Sequence, residues 1–162
     1  MKPTKSNVGA NGHSPRLKKN RKSVSPAPAG LGSSATYEDR QNHIPGMKMP
    51  AIETWEFMYP GSATSLEVSV PEFTCICPKT GLPDFATLVI SYVPDKLCLE
   101  LKSFKEYINS FRDLGIFHEH VVNRMLADCV KACKPRSMEV RGVFNARGGI
   151  QTTASAGYRR GK

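Results

Sequence analysis

The sequence predicts an α+β protein, an antiparallel sheet with two helices over one face, in the order strand, strand, helix, helix, strand, strand. Three observations carry this. Residues 66–93 alternate or run apolar at strand length around a turn, residues 103–135 change to helical spacing, and residues 138–153 return to alternation.

Trp55, Phe57 and Tyr59 alternate as a short strand or extended entry arm, and Pro60-Gly61 marks a turn. Leu66, Val68 and Val70 alternate with Glu67 and Ser69 in a half-buried strand that runs on toward Cys75. Proline has no N–H to give a ladder, so Pro71 predicts an edge or a bulge there. Cys77-Pro78-Lys79-Thr80-Gly81 is a shaped loop, and Phe85–Val93 is a second strand that Pro94-Asp95 ends. Ser103 with Glu106 has the form of a capping box that starts a helix. Phe104, Tyr107, Ile108, Phe111 and Leu114 give that helix one apolar face, and Gly115 stands where it would stop. A second helix starts at His118 or Glu119, carries a stripe from Val121 to Cys133, and ends before Pro135. Met138, Val140, Gly142 and Phe144 alternate as a third strand. Arg147-Gly148-Gly149 makes a turn, Ile150–Thr153 reads as a fourth strand, and the last five residues read as loose.

The net charge of +9 is unevenly placed. Residues 1–50 hold nine lysines and arginines against two acids, and residues 51–162 hold fourteen against twelve. The first 50 residues therefore read as a disordered basic tail and linker, without periodicity over residues 1–36, and the fold as residues 51–162. A polyanion argument applies to the tail more than to the fold, and no direct nucleic-acid partner is expected of the domain. No run reaches the roughly 18 apolar residues of a membrane span. Five cysteines without framework spacing point to free thiols in a reducing, cytoplasmic setting.

The chemistry centres on the loop. Cys77 sits at a strand end against proline, with Lys79 two residues on and Asp84 seven residues on. A cysteine there is either a small buried hydrophobe or a nucleophile, since a nearby cation favours the thiolate. Asp84 is either a turn cap or a proton donor. Cys75, Cys77, Cys98 and His118 could be gathered into a zinc set, but their spacing is not the paired Cys-x-x-Cys form, and no metal is expected. Lys102 stands just before the first helix and Lys105 inside its first turn, where the helix dipole favours anions, so they fit an arriving anionic ligand or a solvated face. His118 and Glu119 are a helix start or hydrogen-bonding groups for a polar heterocycle. Arg147 and the glycines after it could approach a phosphate closely. No G-x-G-x-x-G follows a strand, so no Rossmann site is expected.

Several separated motifs agree with one family. Phe73-Thr-Cys-Ile-Cys-Pro-Lys-Thr-Gly-Leu-Pro-Asp-Phe-Ala86, Glu100-Leu101-Lys102-Ser103-Phe104-Lys105, Ser110-Phe111-Arg112, Phe117-His118-Glu119 and Arg147-Gly148-Gly149 resemble the NADPH-dependent 7-cyano-7-deazaguanine reductases of queuosine biosynthesis. The resemblance covers about residues 53–152 and matches the short, single-module form. It implies a tunnelling fold (T-fold) whose subunits form rings, two stacked pentamers in this form, with active sites between subunits. It implies Cys77 as the nucleophile that forms a thioimide with the nitrile and Asp84 as the proton donor. Leu99, Glu100, Leu101, His118 and Glu119 would hold the deazaguanine, and Lys102, Lys105, Arg147 and Gly148 would contact NADPH. Leu101 stands where the family often has serine, and the first 50 residues have no counterpart in the pattern. The rival from the same fold is a zinc hydrolase like GTP cyclohydrolase I, which needs a Cys/His metal set.

Overall fold

The computed structural model describes residues 41–161, and the tail read at residues 1–36 lies outside them. In order come β1 (Thr54–Glu56), β2 (Leu66–Ile76), β3 (Pro83–Val93), β4 (Leu97–Leu99), α1 (Leu101–Asn109), α2 (His118–Cys133), β5 (Ser137–Phe144) and β6 (Thr153–Arg159). β2, β3, β5 and β6 form one antiparallel sheet in that spatial order, and β1 pairs with β4 in a second, two-stranded one. The expected α+β architecture is what the chain adopts.

The long pair behaves as its alternation requires. Phe73, Cys75, Ala86, Leu88, Ile90 and Tyr92 point into the core, and their neighbours along each strand do not. The register slips between Val70 and Phe73, so Pro71 and Glu72 form a bulge on the edge strand β2. This is where a residue without an N–H does least harm to the ladder. Both helices cover the same face. α1 lays Phe104, Tyr107 and Ile108 on the β2 side, where the Phe73 and Phe111 rings meet at 5.5 Å. α2 packs Val121, Val122, Met125, Cys129 and Cys133 across β5 and β6.

Four local expectations need correction. The first helix begins at Leu101 and its cap is Glu100, whose carboxylate accepts the N–H groups of Lys102 and Ser103 at 2.8 and 2.7 Å. Ser103 instead ties the turn to the entry arm, its hydroxyl accepting Glu53 N–H and donating to Glu100 C=O. That helix also ends at Asn109, well before Gly115. Phe111 and Leu114 keep helical spacing in tighter turns, Phe111 N–H donating to Ile108 C=O and Leu114 N–H to Phe111 C=O, so the periodicity outlasts the α-helix. The last strand is Thr153–Arg159, and its pairing reaches Ser137 opposite Arg159, so Tyr158 and Arg159 are strand residues. Its inward positions Ala154, Ala156 and Tyr158 are small or half-buried, a weak apolar signal. Residues 41–50, the described part of the segment read as tail and linker, lie on the fold: Ile44 is in the core, and the Arg124 guanidinium of α2 donates to the carbonyls of Ile44 and Met47.

Candidate active site

Cys77 leaves the end of β2 as the first residue of a tight turn. Gly81 N–H donates to its carbonyl at 2.8 Å, and its own N–H donates to Leu82 C=O at 2.8 Å, so the loop closes on itself like one turn of helix. Pro78 fits the first turn position because it has no N–H to spend, and Gly81 has φ +69. The turn aims the N–H groups of Lys79 and Thr80 and the Thr80 hydroxyl at the Cys77 sulfur, and the Arg147 guanidinium reaches it from outside the loop. Burial opposes ionisation of this thiol, but those donors outweigh burial and hold it below its ordinary value. Lys79 thus acts through its backbone, and the guanidinium at the sulfur is that of Arg147. Cys75, two residues back in β2, has no such donors, and burial pushes its thiol up to about 12.

Asp84 enters from the first turn of β3, opposite Cys75 in the ladder, and its side chain is only 3% exposed. Two cations or potential cations face it. Arg147 Nη1 stands 2.6 Å from Oδ1, an ionic contact without an aligned hydrogen bond, and His118 Nε2 stands 3.2 Å from Oδ2. The imidazole is held flat on the Phe144 ring, centroids 3.7 Å apart and planes within 8°. Phe144 is opposite Ala86 across the β3–β5 ladder, so the sheet itself sets where His118 meets Asp84. Arg147 is delivered by a two-residue hairpin: its N–H and C=O both pair with Ile150, and Gly148 and Gly149 occupy the turn at φ +58 and +80. Two successive positive φ values are what make glycine the residue for both places.

The structure therefore brings Cys77, Asp84, His118 and Arg147 together, and it adds Thr80 and Phe144, which sequence reasoning missed. Thr80 is visible in hindsight as a hydroxyl three residues after the thiol. Phe144 was read only as a core position. Glu119 is exposed beside His118 on the first turn of α2.

Leu99, Glu100, Leu101, Lys102 and Lys105 lie elsewhere. Leu99 N–H donates to the Tyr92 hydroxyl at the opposite end of β3. Asp84 and Tyr92 are eight residues apart on that strand, roughly 26 Å at ~3.3 Å per residue. One subunit thus carries the thiol cluster at one end of its sheet and the start of α1 at the other. Lys102 and Lys105 are exposed on the first turn of α1, which holds no acid, while Glu100 has both carboxylate oxygens in the cap. A cavity of about 770 Å3, lined by Glu56, Lys96, Leu97, Cys133 and Arg160 among others, also lies at the Tyr92 end, away from Cys77. Among the described residues no cluster of three His, Cys, Asp or Glu could hold a metal. Cys98 sits by Tyr92, so the imagined zinc set of Cys75, Cys77, Cys98 and His118 is not brought together.

Comparison with known proteins then gives the family. A family model described as QueF-like protein matches residues 83–162. The NADPH-dependent 7-cyano-7-deazaguanine reductase of Chloroherpeton thalassium is 52% identical over 112 residues, which are 69% of this chain and 97% of that protein. That of Chlorobaculum tepidum is 50% identical over 116 residues, 72% of this chain and 99% of that protein. This chain belongs to the NADPH-dependent 7-cyano-7-deazaguanine reductase family. A reductase of the same description from Nitrosococcus oceani is 51% identical over 116 residues, 72% of this chain and 90% of that protein. The crystal structure of an archaeosine synthase QueF-Like in the apo form superposes with a TM-score of 0.56 at 21% identity, over 59% of this chain and 94% of that one. That likeness concerns the fold alone, and it agrees with the tunnelling fold expected of the reductase family. No described helix is long and apolar enough to cross a membrane.

Proposed function

We propose that this chain reduces the nitrile of 7-cyano-7-deazaguanine to the aminomethyl group with NADPH, in queuosine biosynthesis, through a covalent thioimide on Cys77. The observation that supports this best is the cluster at the Cys77 end of the sheet: a thiol eased toward thiolate, a buried carboxyl beside it, and an imidazole on that carboxyl, in a chain of this reductase family.

A nitrile is a poor hydride acceptor, and thiolate addition turns it into a C=N group that accepts hydride readily. The Cys77 sulfur attacks the nitrile carbon, a C–S bond forms, one C–N π bond becomes a lone pair on nitrogen, and that nitrogen takes a proton from Asp84. His118, 17% exposed against Asp84 Oδ2, is the route by which the carboxyl regains a proton. Expulsion of the sulfur after the first reduction returns the thiolate to its cradle of N–H donors. Glu119 accepts the N–H edge of the heterocycle, helped by His118 and the Leu99–Leu101 backbone, because a carboxylate takes two such donors well.

NADPH fits the start of α1. Lys102 and Lys105 are three apart on one exposed face, and the Glu100 carboxylate beside them is occupied by the cap. Lys102, Lys105, Arg147 and Gly148 would hold it, and each NADPH bound there would supply one hydride, two being used in turn. Because the two ends of one subunit's sheet stand so far apart, one complete site needs the Cys77 end of one subunit and the α1 start of another. We take the assembly to be a homo-oligomer, two stacked pentamers with sites between subunits.

The test is intact-protein mass spectrometry after mixing with 7-cyano-7-deazaguanine and no NADPH. A mass gain equal to the heterocycle, mapped to Cys77 and lost in Cys77→Ala, is expected. A wild-type chain that gains no mass, or a Cys77→Ala chain that still makes product, overturns the proposal.

A further inference from the structure

We propose that Arg147 belongs to the reacting cluster of the free site: its guanidinium bridges Asp84 and Cys77 and readies the sulfur for attack. The inference rests on the reading of Cys77 as the nucleophile, and goes beyond a phosphate contact for this arginine.

The geometry is specific. Arg147 Nη1 is 2.6 Å from a carboxylate oxygen that has no aligned hydrogen bond from any described group. The same side chain donates to the Cys77 sulfur. It reaches both from a hairpin whose two central residues are glycines with positive φ and whose flanks, Arg147 and Ile150, are locked by a reciprocal pair of backbone bonds. The groups that face the sulfur or its carboxyl partner are Cys75 from β2, Lys79 and Thr80 from the loop, Asp84 from β3, His118 from α2 and Arg147 from the hairpin. Arg147 is the permanent cation of that set.

A guanidinium fixed beside the sulfur favours its anionic form, the form that attacks. Attack forms the C–S bond, one C–N π bond becomes a lone pair on nitrogen, and that nitrogen takes its proton from Asp84, as in the step proposed above.

The experiment is alkylation of the full chain by iodoacetamide, a neutral reagent, followed by peptide mass spectrometry at Cys77 between about pH 5 and pH 10, the range spanning thiol ionisation. In the wild type, reaction at Cys77 levels off below the ordinary thiol range, about pH 8.5. In Arg147→Ala the profile moves to higher pH and the rate at neutral pH falls about threefold, the change that about half a pH unit of displacement gives. Arg147→Lys, which keeps a positive charge on the hairpin, recovers part of the rate. An Arg147→Ala profile that overlays the wild type overturns the inference, as does a lysine variant as slow as alanine. The readout involves neither the heterocycle nor NADPH. A wild type that alkylates as described but forms no adduct with 7-cyano-7-deazaguanine would sink the substrate reading, while a wild-type adduct with an unshifted Arg147→Ala profile would sink only the role of Arg147.

Discussion

Two cysteines two residues apart have opposite chemistry, and the cause is the backbone around each. Cys75 lies within β2, where the N–H groups are committed to the ladder and burial keeps the thiol protonated. Cys77 lies one residue past the strand, where the turn frees N–H groups to point at sulfur. A pH dependence follows. A thiol held below its ordinary value ionises at lower pH than a free one, so thioimide formation should level off before the ordinary thiol range and fall as pH drops through the lowered value. A stopped-flow profile that keeps climbing into the ordinary thiol range, about pH 8.5, would contradict this. Asp84→Asn probes the acid. Asparagine fills the same space and still meets Arg147 and His118, but has no acidic proton to give. Reduction should slow by about 10²–10⁴, the span of general acid–base catalysis, and adduct formation by less. Single-turnover kinetics separate the two steps, and equal losses in both would count against Asp84 as proton donor.

At the scale of elements, the site depends on how β5 packs. Gly142 faces α2, and a methyl group there would come 2.8 Å from Leu88 Cδ2, 3.0 Å from Phe144 Cε2 and 3.4 Å from Val122 Cγ1. Phe144 carries the His118 ring. Gly142→Ala should therefore destabilise the fold by about 1–3 kcal/mol, the usual cost of overpacking, and should also slow adduct formation by shifting His118 from Asp84. Denaturant melts and adduct kinetics on one sample check both, and a variant as stable as the wild type would show that the core gives way at no cost. The same elements show what the sequence could and could not say. β2, β3 and β5 were legible because long alternation has one reading. β4 was not, because three residues carry no period, and β6 was blurred because alanines are weak markers. Cys77 and Asp84 were legible because one loop joins them. The place of Arg147 at Asp84 was not, because it depends on the register of β3 with β5, a pairing between strands some 50 residues apart in sequence.

For the molecule as a whole, the separation of the Cys77 cluster from the start of α1 makes a prediction about mixtures. Cys77→Ala subunits lack the nucleophile, and Lys102→Ala/Lys105→Ala subunits lack the cofactor lysines. Each should be nearly inactive alone. Co-assembled in equal amounts, a site that takes its thiol from one kind and its lysines from the other is intact, so about a quarter of wild-type activity should return in a symmetric ring with random mixing. Activity no greater than the two variants assayed separately would place both halves in one subunit. The five cysteines have a further use that follows from their settings. Cys75, Cys98, Cys129 and Cys133 are all sealed in the core with ionisation opposed by burial. Cys77 is buried too, at 6% exposure, but its ionisation alone is favoured, so a maleimide dye added to the native protein should mark it ahead of the other four. Slower labelling in the presence of a ligand could then report occupancy of the site, without first engineering any residue away.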